Sequence, residues 1–102
     1  MLRQPPSAEL RELAERAAAS IRRILGGETR VYWFGSWIWG TPVSRSDIDL
    51  AVDIGRPLQP EEVTRLRDEL DTLPTLRGID LVDLHGLSQD RRKLIVEEGM
   101  EL

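Results

Sequence analysis

The sequence predicts an α+β fold, in which a small mixed β-sheet carries helices on one face. Apolar residues recur at three- and four-residue steps in several segments, which is typical of amphipathic helices. Between those segments lie short runs rich in β-branched and aromatic residues, bounded by glycine or proline, which are typical of strands. Because the two kinds of segment alternate and the strands are few, we expect a sheet covered by helices on one side only.

The first two elements are an amphipathic helix and a strand. Ser7 can cap a helix that runs to residue 25, because its hydroxyl can accept a hydrogen bond from a free N–H of the first turn. Gly26 ends this helix. The segment "RVYWF", residues 30–34, has the composition of a strand, and "SWIWG", residues 36–40, is expected to form a short turn or helix.

The second half of the chain repeats the alternation. A strand is predicted over 47–54 and is followed by a helix that begins at Pro60, since proline suits the first helical turn. The segment "IDLVDL", residues 79–84, reads as the third strand. A last helix is expected over 88–98, with a serine cap at its start.

Length and composition limit the classes of function. The 102 residues predict a single domain over 1–102. The net charge of −4 disfavours nucleic acid as the main partner, because such proteins usually carry a basic excess. There is no cysteine for disulfides or thiolate metal sites, and no apolar run approaches the ~20 residues that span a bilayer. Without the apolar segment of a secretion signal at its N-terminus, the protein is expected to be cytoplasmic, with no membrane association.

Aspartates occupy alternate positions of the second predicted strand. Successive side chains of a strand point to opposite faces, so Asp47, Asp49 and Asp53 share one face with Ala51. The other face is apolar and is expected to lie under the helices, which leaves the acids on the open face. Neighbouring carboxylates repel each other, and a divalent cation removes that penalty; Mg²⁺ prefers one or two carboxylates together with substrate phosphates.

A third acid comes from the strand "IDLVDL". Ile79 and Leu81 define its buried face, so Asp80 points to the open side beside the first pair. Asp83 has the parity of the buried face, and we therefore assign Asp80 as the third acid. Three carboxylates on one face can bind two metal ions, which clamp the attacking and leaving oxygens of a phosphoryl displacement.

The Gly-Ser pair that precedes the strand with Asp47 and Asp49 fits the same chemistry. Gly35 permits close approach of a phosphate to the backbone. Ser36 opens a helical turn, where free N–H groups attract anions, and its hydroxyl can bond a phosphate oxygen. Each motif alone is more often structural than catalytic. The combination favours catalysis, because the motifs follow one another in this order and strand alternation places the three acids on one face.

Four other residues have simpler interpretations. Asp53 is interpreted as a surface acid at a strand end, and His85 as a surface or loop residue. Trp37 and Trp39 cannot both face the core if their segment is helical. Core packing is the favoured interpretation for these tryptophans, and an exposed indole that stacks on a base or docks a partner is the alternative.

The segments "GSWIWGTPVSRSDIDLAV" and "IDLVDL" resemble the nucleotidyltransferase superfamily that includes DNA polymerase β. The shared pattern is Gly-Ser, a spacer, Asp-x-Asp and a third Asp on a later strand, and the resemblance covers residues 31–84. More closely, the chain is similar to the minimal nucleotidyltransferases of bacteria and archaea. The resemblance implies a polymerase β-like nucleotidyltransferase palm fold.

The resemblance also implies a role for each motif residue. Gly35 and Ser36 hold the triphosphate of ATP, the expected nucleotide substrate, and Asp47 and Asp49 bind Mg²⁺. Asp80 completes a site for two Mg²⁺ ions and acts as base toward the acceptor hydroxyl.

One position departs from the family pattern. Many relatives carry an arginine directly after Gly-Ser, where this chain has Trp37. Either this basic phosphate contact is missing, or Arg45 in the following loop replaces it as a nucleotide-binding residue.

Minimal nucleotidyltransferases commonly pair with a HEPN-domain toxin, to which the antitoxin can transfer AMP. The resemblance therefore implies an adenylylating antitoxin, with a HEPN-domain protein as partner and Met100 and Leu102 as candidate docking positions. A homo-oligomer could instead complete the open site. Two alternatives remain: an antitoxin that neutralises its partner by binding alone, and, disfavoured by the short chain, an aminoglycoside-type adenylyltransferase.

Overall fold

The computed structural model describes residues 7–35, 48–75 and 77–102. Their elements are α1 (Ala8–Leu25), β1 (Arg30–Phe34), β2 (Ile48–Asp53), α2 (Pro60–Leu70), β3 (Ile79–Asp83), a 3₁₀ turn (Leu84–Gly86), α3 (Gln89–Glu98) and β4 (Met100–Glu101). None of these helices is long and apolar enough to cross a membrane. The short turn or helix predicted over 36–40 lies outside the described residues.

The four strands form one mixed sheet in the order β3-β2-β1-β4. β1 pairs antiparallel with β2 and β4, and β2 pairs parallel with β3. α2 lies in the connection between β2 and β3, as the crossover that a parallel pair requires. The α+β class with a mixed sheet is therefore confirmed. β3 ends one residue earlier than predicted, because Asp83 caps the 3₁₀ turn by accepting a hydrogen bond from the His85 N–H.

The main core lies between one face of the sheet and the helices α1 and α2. Trp33 of β1 and Leu50 of β2 are register partners, and both are fully buried there. α1 presents small residues at helical spacing, which lets it pack closely on the strands. Burying a large apolar side chain in this way stabilises the fold by roughly 1.5–3 kcal/mol. The buried residues of α1 in this core are Leu10, Ala14, Ala17, Ala18 and Ile21.

A second, smaller cluster covers part of the opposite face. Tyr32 and Ala51 are register partners on that face, and Leu84 and Ile95 bury them. Ile95 belongs to α3, so this helix packs on the side opposite to α1 and α2. The expectation of helices on one face only is therefore wrong: two helices lie on one face, and α3 partly covers the other.

β4 is a strand that the sequence did not predict. It pairs with β1, and the Leu102 N–H extends the pairing by donating to the Val31 carbonyl oxygen at 2.9 Å. Arg22 of α1 donates from Nη2 to the Leu102 carbonyl oxygen at 2.6 Å. Met100 and Leu102 are half-buried against the main core. The structure thus gives these two residues a packing role, and their docking role stays a prediction.

Gly99, at the end of α3, lies close to the backbone of β1 and provides a test of this packing. A Cβ at Gly99 would lie 2.6 Å from the Ile95 carbonyl oxygen and 3.1 Å from the Trp33 carbonyl oxygen. Both are backbone atoms, so we expect Gly99→Ala to lower the free energy of unfolding by about 1–3 kcal/mol in urea denaturation. At Gly27 a Cβ meets nothing within 4 Å, and Gly27→Ala should be neutral or slightly stabilising. Equal effects of the two substitutions would contradict the close approach.

Candidate active site

Two of the predicted acids lie side by side on neighbouring strands. Asp49 and Asp80 are register partners in the parallel pair of β2 and β3, where adjacent strands are about 4.8 Å apart. Their side chains share the face opposite to the main core, because Ile48 and Leu50, which flank Asp49 in the sequence, are buried in that core. Asp80 is exposed and Asp49 is half-buried. The alternation in the sequence predicted this placement.

Gly35 brings the backbone directly against one of these carboxylates. It follows β1 with a φ of +91°, in the left-handed region that favours glycine. A Cβ at this position would overlap an oxygen of the Asp49 carboxylate. The approach arises because Phe34, the last residue of β1, is the register partner of Asp49. Sequence reasoning singled out Gly35 for its approach to phosphate and missed its contact with Asp49, which depends on the register between β1 and β2.

A second titratable pair lies further along the sheet. His85 Nε2 is 2.8 Å from Asp53 Oδ1, and each side chain is about one-quarter exposed. Asp53 lies four residues beyond Asp49 on the same face of β2, which corresponds to ~13 Å along the strand. The buried Ala51 and Leu84 belong to the second cluster, which covers the face between them. The pair thus lies apart from the acids at the start of the strand.

The environment of Asp53 shifts its pKa. Burial alone would raise the pKa of this carboxyl group, but hydrogen bonds from the Gly55 N–H and from His85, together with the charges of His85 and Arg30, lower it below the ordinary value. The Gly55 N–H donates to Asp53 Oδ1 at 2.8 Å. The sequence interpretation of Asp53 and His85 as separate surface residues missed this contact. The sequence features that could have predicted this contact are the position of Asp53 on the open face of β2 and the position of His85 just after β3.

Asp83 has a structural role in the connections around β3. Its Oδ1 accepts a hydrogen bond from the His85 N–H, and its Oδ2 accepts one from the Leu58 N–H, each at 3.0 Å. Both oxygens are therefore used by backbone donors. This agrees with the assignment of Asp80, rather than Asp83, to the acidic face.

Several predicted site residues lie outside the described part of the chain, namely Ser36, Trp37, Trp39, Arg45 and Asp47. Within residues 7–35, 48–75 and 77–102, no group of three or more side chains is assembled that could hold a metal ion. Asp49 and Asp80 are the described part of the predicted ligand set. Their hard oxygen donors, one strand apart on one face, fit the ligand preference of Mg²⁺, which uses few protein carboxylates and completes its shell with water and phosphate oxygens.

A mixed sheet backed by helices, with acids on two adjacent strands of the other face, is the arrangement of a polymerase β-like nucleotidyltransferase fold. The chain belongs to this family, since the family profile described as "Polymerase beta, Nucleotidyltransferase" matches residues 21–102. No curated protein sequence matches the chain.

Solved structures of minimal nucleotidyltransferases and toxin–antitoxin complexes resemble this chain. A toxin–antitoxin crystal structure with AMP-PNP shares 29% identity at a TM-score of 0.60, covering 85% of this chain and 70% of that chain. A mutant of the MntA–HpeT toxin–antitoxin, with two aspartates two positions apart changed to glutamate, shares 25% identity at a TM-score of 0.58, with the same coverages. A protein assigned as a minimal nucleotidyltransferase shares 25% identity at a TM-score of 0.63, covering 92% and 93% of the two chains.

The contact between Gly35 and Asp49 can be tested with a matched pair of glycine substitutions. Gly55 also has a positive φ, of +80°, but a Cβ there meets nothing within 4 Å. Gly35→Ala and Gly55→Ala should therefore share a backbone cost of about 1–3 kcal/mol in the free energy of unfolding. Only Gly35→Ala should also displace Asp49 and weaken Mg²⁺ binding, measured by isothermal titration calorimetry on folded protein. Equal Mg²⁺ affinity in the two variants would contradict the contact.

The lowered pKa of Asp53 predicts a pH-dependent contribution to stability. Because the pKa is lower in the folded than in the unfolded protein, this contribution is present above the ordinary value of 3.8 and is lost as the pH falls through the lowered pKa. Asp53→Asn should therefore destabilise the protein near neutral pH, and the difference from the wild type should shrink in acid. Urea unfolding at several pH values measures it. Asp68→Asn, at an exposed position of α2, is the control, and a pH-independent difference for Asp53→Asn would refute the interpretation.

Proposed function

We propose that this protein is a Mg²⁺-dependent nucleotidyltransferase that moves AMP from ATP to a hydroxyl group of a partner protein, as the antitoxin of a HEPN toxin pair. The observation that carries the proposal is the register of β2 and β3, which sets Asp49 beside Asp80 on one face. Two carboxylates held this close repel each other, and a bound divalent cation would relieve that repulsion. ATP as the substrate also fits the expected cytoplasmic location.

The metal site proposed here consists of Asp49 and Asp80, completed by Asp47. Mg²⁺, when bound, supplies positive charge that neutralises the triphosphate and the departing pyrophosphate. Asp49 lies directly against the backbone at Gly35, so its carboxylate is beside the beginning of the proposed phosphate-binding segment, Gly35-Ser36. Ser36 and Arg45 are proposed to contact the triphosphate from the segment that follows.

Asp80 is proposed as the base for the acceptor, because it is the more exposed of the two described acids and lies on the strand nearer the sheet edge. Its carboxylate takes the proton from the acceptor hydroxyl. The hydroxyl oxygen then forms a bond to the α-phosphorus of ATP, and the bond from that phosphorus to the bridging oxygen breaks. Pyrophosphate leaves with the bonding electrons, and the acceptor keeps AMP.

The structural neighbours support the choice of nucleotide and partner. One is a toxin–antitoxin with AMP-PNP, an adenine nucleotide analogue, and another is the MntA–HpeT pair. The mutant of that pair changes two aspartates at the spacing of Asp47 and Asp49 in this chain. That neighbour therefore has two aspartates two positions apart and belongs to a toxin–antitoxin pair. We propose the same combination for this chain.

The proposed roles of the acids predict a loss of transfer in single variants. The protein is incubated with ATP labelled at the α-phosphorus, Mg²⁺ and the proposed HEPN-domain partner. Asp80→Asn should reduce label transfer by about 10²–10⁴-fold, because a carboxylate base is removed, and Asp49→Asn should cause a similarly large loss. Asp53→Asn is the matched control: it lies on the same face of β2 but beyond the second cluster, and it should retain transfer.

The same variants separate transfer from neutralisation by binding alone. If Asp49→Asn and Asp80→Asn still protect cells from the toxin as well as the wild type does, protection does not need catalysis. Unchanged labelling in these variants would overturn the proposed site. Labelling of an aminoglycoside without any partner protein would instead identify a small-molecule transferase.

A further inference from the structure

The sheet has two edges of unequal length, and the longer one is the strand that carries Asp80, the proposed base. β4 forms one edge with only two residues, whereas β3 forms the other with five. Within the described residues, no strand pairs with β3 on the side away from β2. Asp80 lies on β3, so this edge is also the edge nearest to the proposed base.

At alternate residues of β3, the backbone N–H and C=O groups point toward this free edge. The Ile48 N–H donates to the Gly78 carbonyl oxygen at 3.0 Å, which fixes the phase of the parallel ladder. Residues 78, 80 and 82 therefore direct their backbone groups toward β2, and Ile79 and Leu81 direct theirs outward. No turn, loop or cap hydrogen bond in the described part of the chain uses the N–H or C=O of Ile79 or Leu81.

This edge lacks several of the features that usually protect an exposed strand. Natural edge strands are blunted by charged side chains, above all lysine, and by proline, bulges or very short length. Of these, β3 has only charged side chains, and both are acids. β3, with the sequence "IDLVD", has neither lysine nor proline, and its register with β2 is continuous over five residues. It is thus a template to which an extended segment can add by main-chain hydrogen bonds.

We propose that the acceptor protein binds by adding an extended segment to the free edge of β3, with its hydroxyl-bearing residue beside Asp80. This inference rests on the proposed function, since it names the acceptor as a polypeptide in β conformation. A residue directly opposite Asp80 on the new strand would have its Cβ about 4.5–5.5 Å from that of Asp80. Its side chain would lie on the acidic face, within reach of the proposed base.

Charge selects the chemistry of this segment. β3 carries two acids, Asp80 and Asp83, and no basic residue, and Asp49 lies on the adjacent strand. A segment with basic residues around its hydroxyl complements this surface. A second copy of the chain does not, because antiparallel pairing of two β3 strands would gather four carboxylates between chains that each carry a net charge of −4.

The first experiment measures binding without catalysis, so that it does not depend on the proposed function. The probe is the peptide Lys-Val-Tyr-Val-Lys, and the readout is amide hydrogen exchange at Ile79 and Leu81, without ATP. At a peptide concentration ten times the dissociation constant, exchange at these two amides should slow about tenfold. Unchanged exchange at millimolar peptide overturns the inference. Slowing that depends on protein concentration without peptide identifies a second copy and also overturns it.

Two N-methylated peptides test the main-chain ladder itself. One is methylated at the tyrosine nitrogen and the other at both valine nitrogens. In a β-ladder only alternate residues of the added strand face β3, so one methylated peptide should lose binding and the other should keep it. Loss at the valines indicates antiparallel addition, and loss at the tyrosine indicates parallel addition. The same result for both methylated peptides overturns the inference.

A matched pair of protein variants tests the same edge from the other side. Leu81→Pro removes the outward N–H, which proline tolerates at an edge, and Leu81→Ala removes the same core side chain but keeps the N–H. Thermal unfolding reports whether each variant folds. If Leu81→Pro does not fold, the two N-methylated peptides test the edge instead. Peptide binding should be lost in folded Leu81→Pro and kept in Leu81→Ala; equal binding overturns the inference. Binding without label transfer to the tyrosine would leave the docking edge intact and count against the proposed function.

Discussion

The in-register parallel pairing of β2 and β3 is the constraint on which the active-site interpretation depends. It sets Asp49 against Asp80 and, with the same phase, Leu50 against Leu81 on the core side. A shift of β3 by one residue would turn Asp80 beneath α1 and α2 and expose Ile79 and Leu81, at a large cost in burial. The buried apolar residues of β2 and β3 therefore fix the positions of the acids that alternate with them. The repulsion between the carboxylates is tolerated because the core fixes the register.

The second cluster limits how much of the acidic face is available. Leu84 and Ile95 cover Ala51 in the middle of β2, so the face is divided into two regions. One contains Asp49 and Asp80 near Gly35, and the other contains Asp53 with His85. α3 is thus more than the last helix of the domain, since it keeps the two sets of titratable groups apart.

Much of this arrangement is encoded locally, and the remainder depends on contacts that the sequence pattern does not contain. The period of two in β2 and β3 predicts the face of Asp49 and Asp80, because side-chain alternation needs no tertiary information. The side on which α3 packs could not be predicted, since Leu94, Ile95 and Val96 are consecutive and define no single face; only Ile95 is buried. β4 was missed because two residues carry no strand pattern and pair only through β1, far away in the sequence.

The two hydrogen bonds of Asp83 join the beginning of the crossover between β2 and β3 to the turn that follows β3. Its carboxylate joins the loop before α2, at Leu58, to the 3₁₀ turn that leads into α3, at His85. These segments are far apart in the sequence but meet at the end of the strand that carries Asp80, where a single carboxylate tethers both. Loosening at one of them would be transmitted to the other, so the two segments at the end of β3 form one cooperative unit.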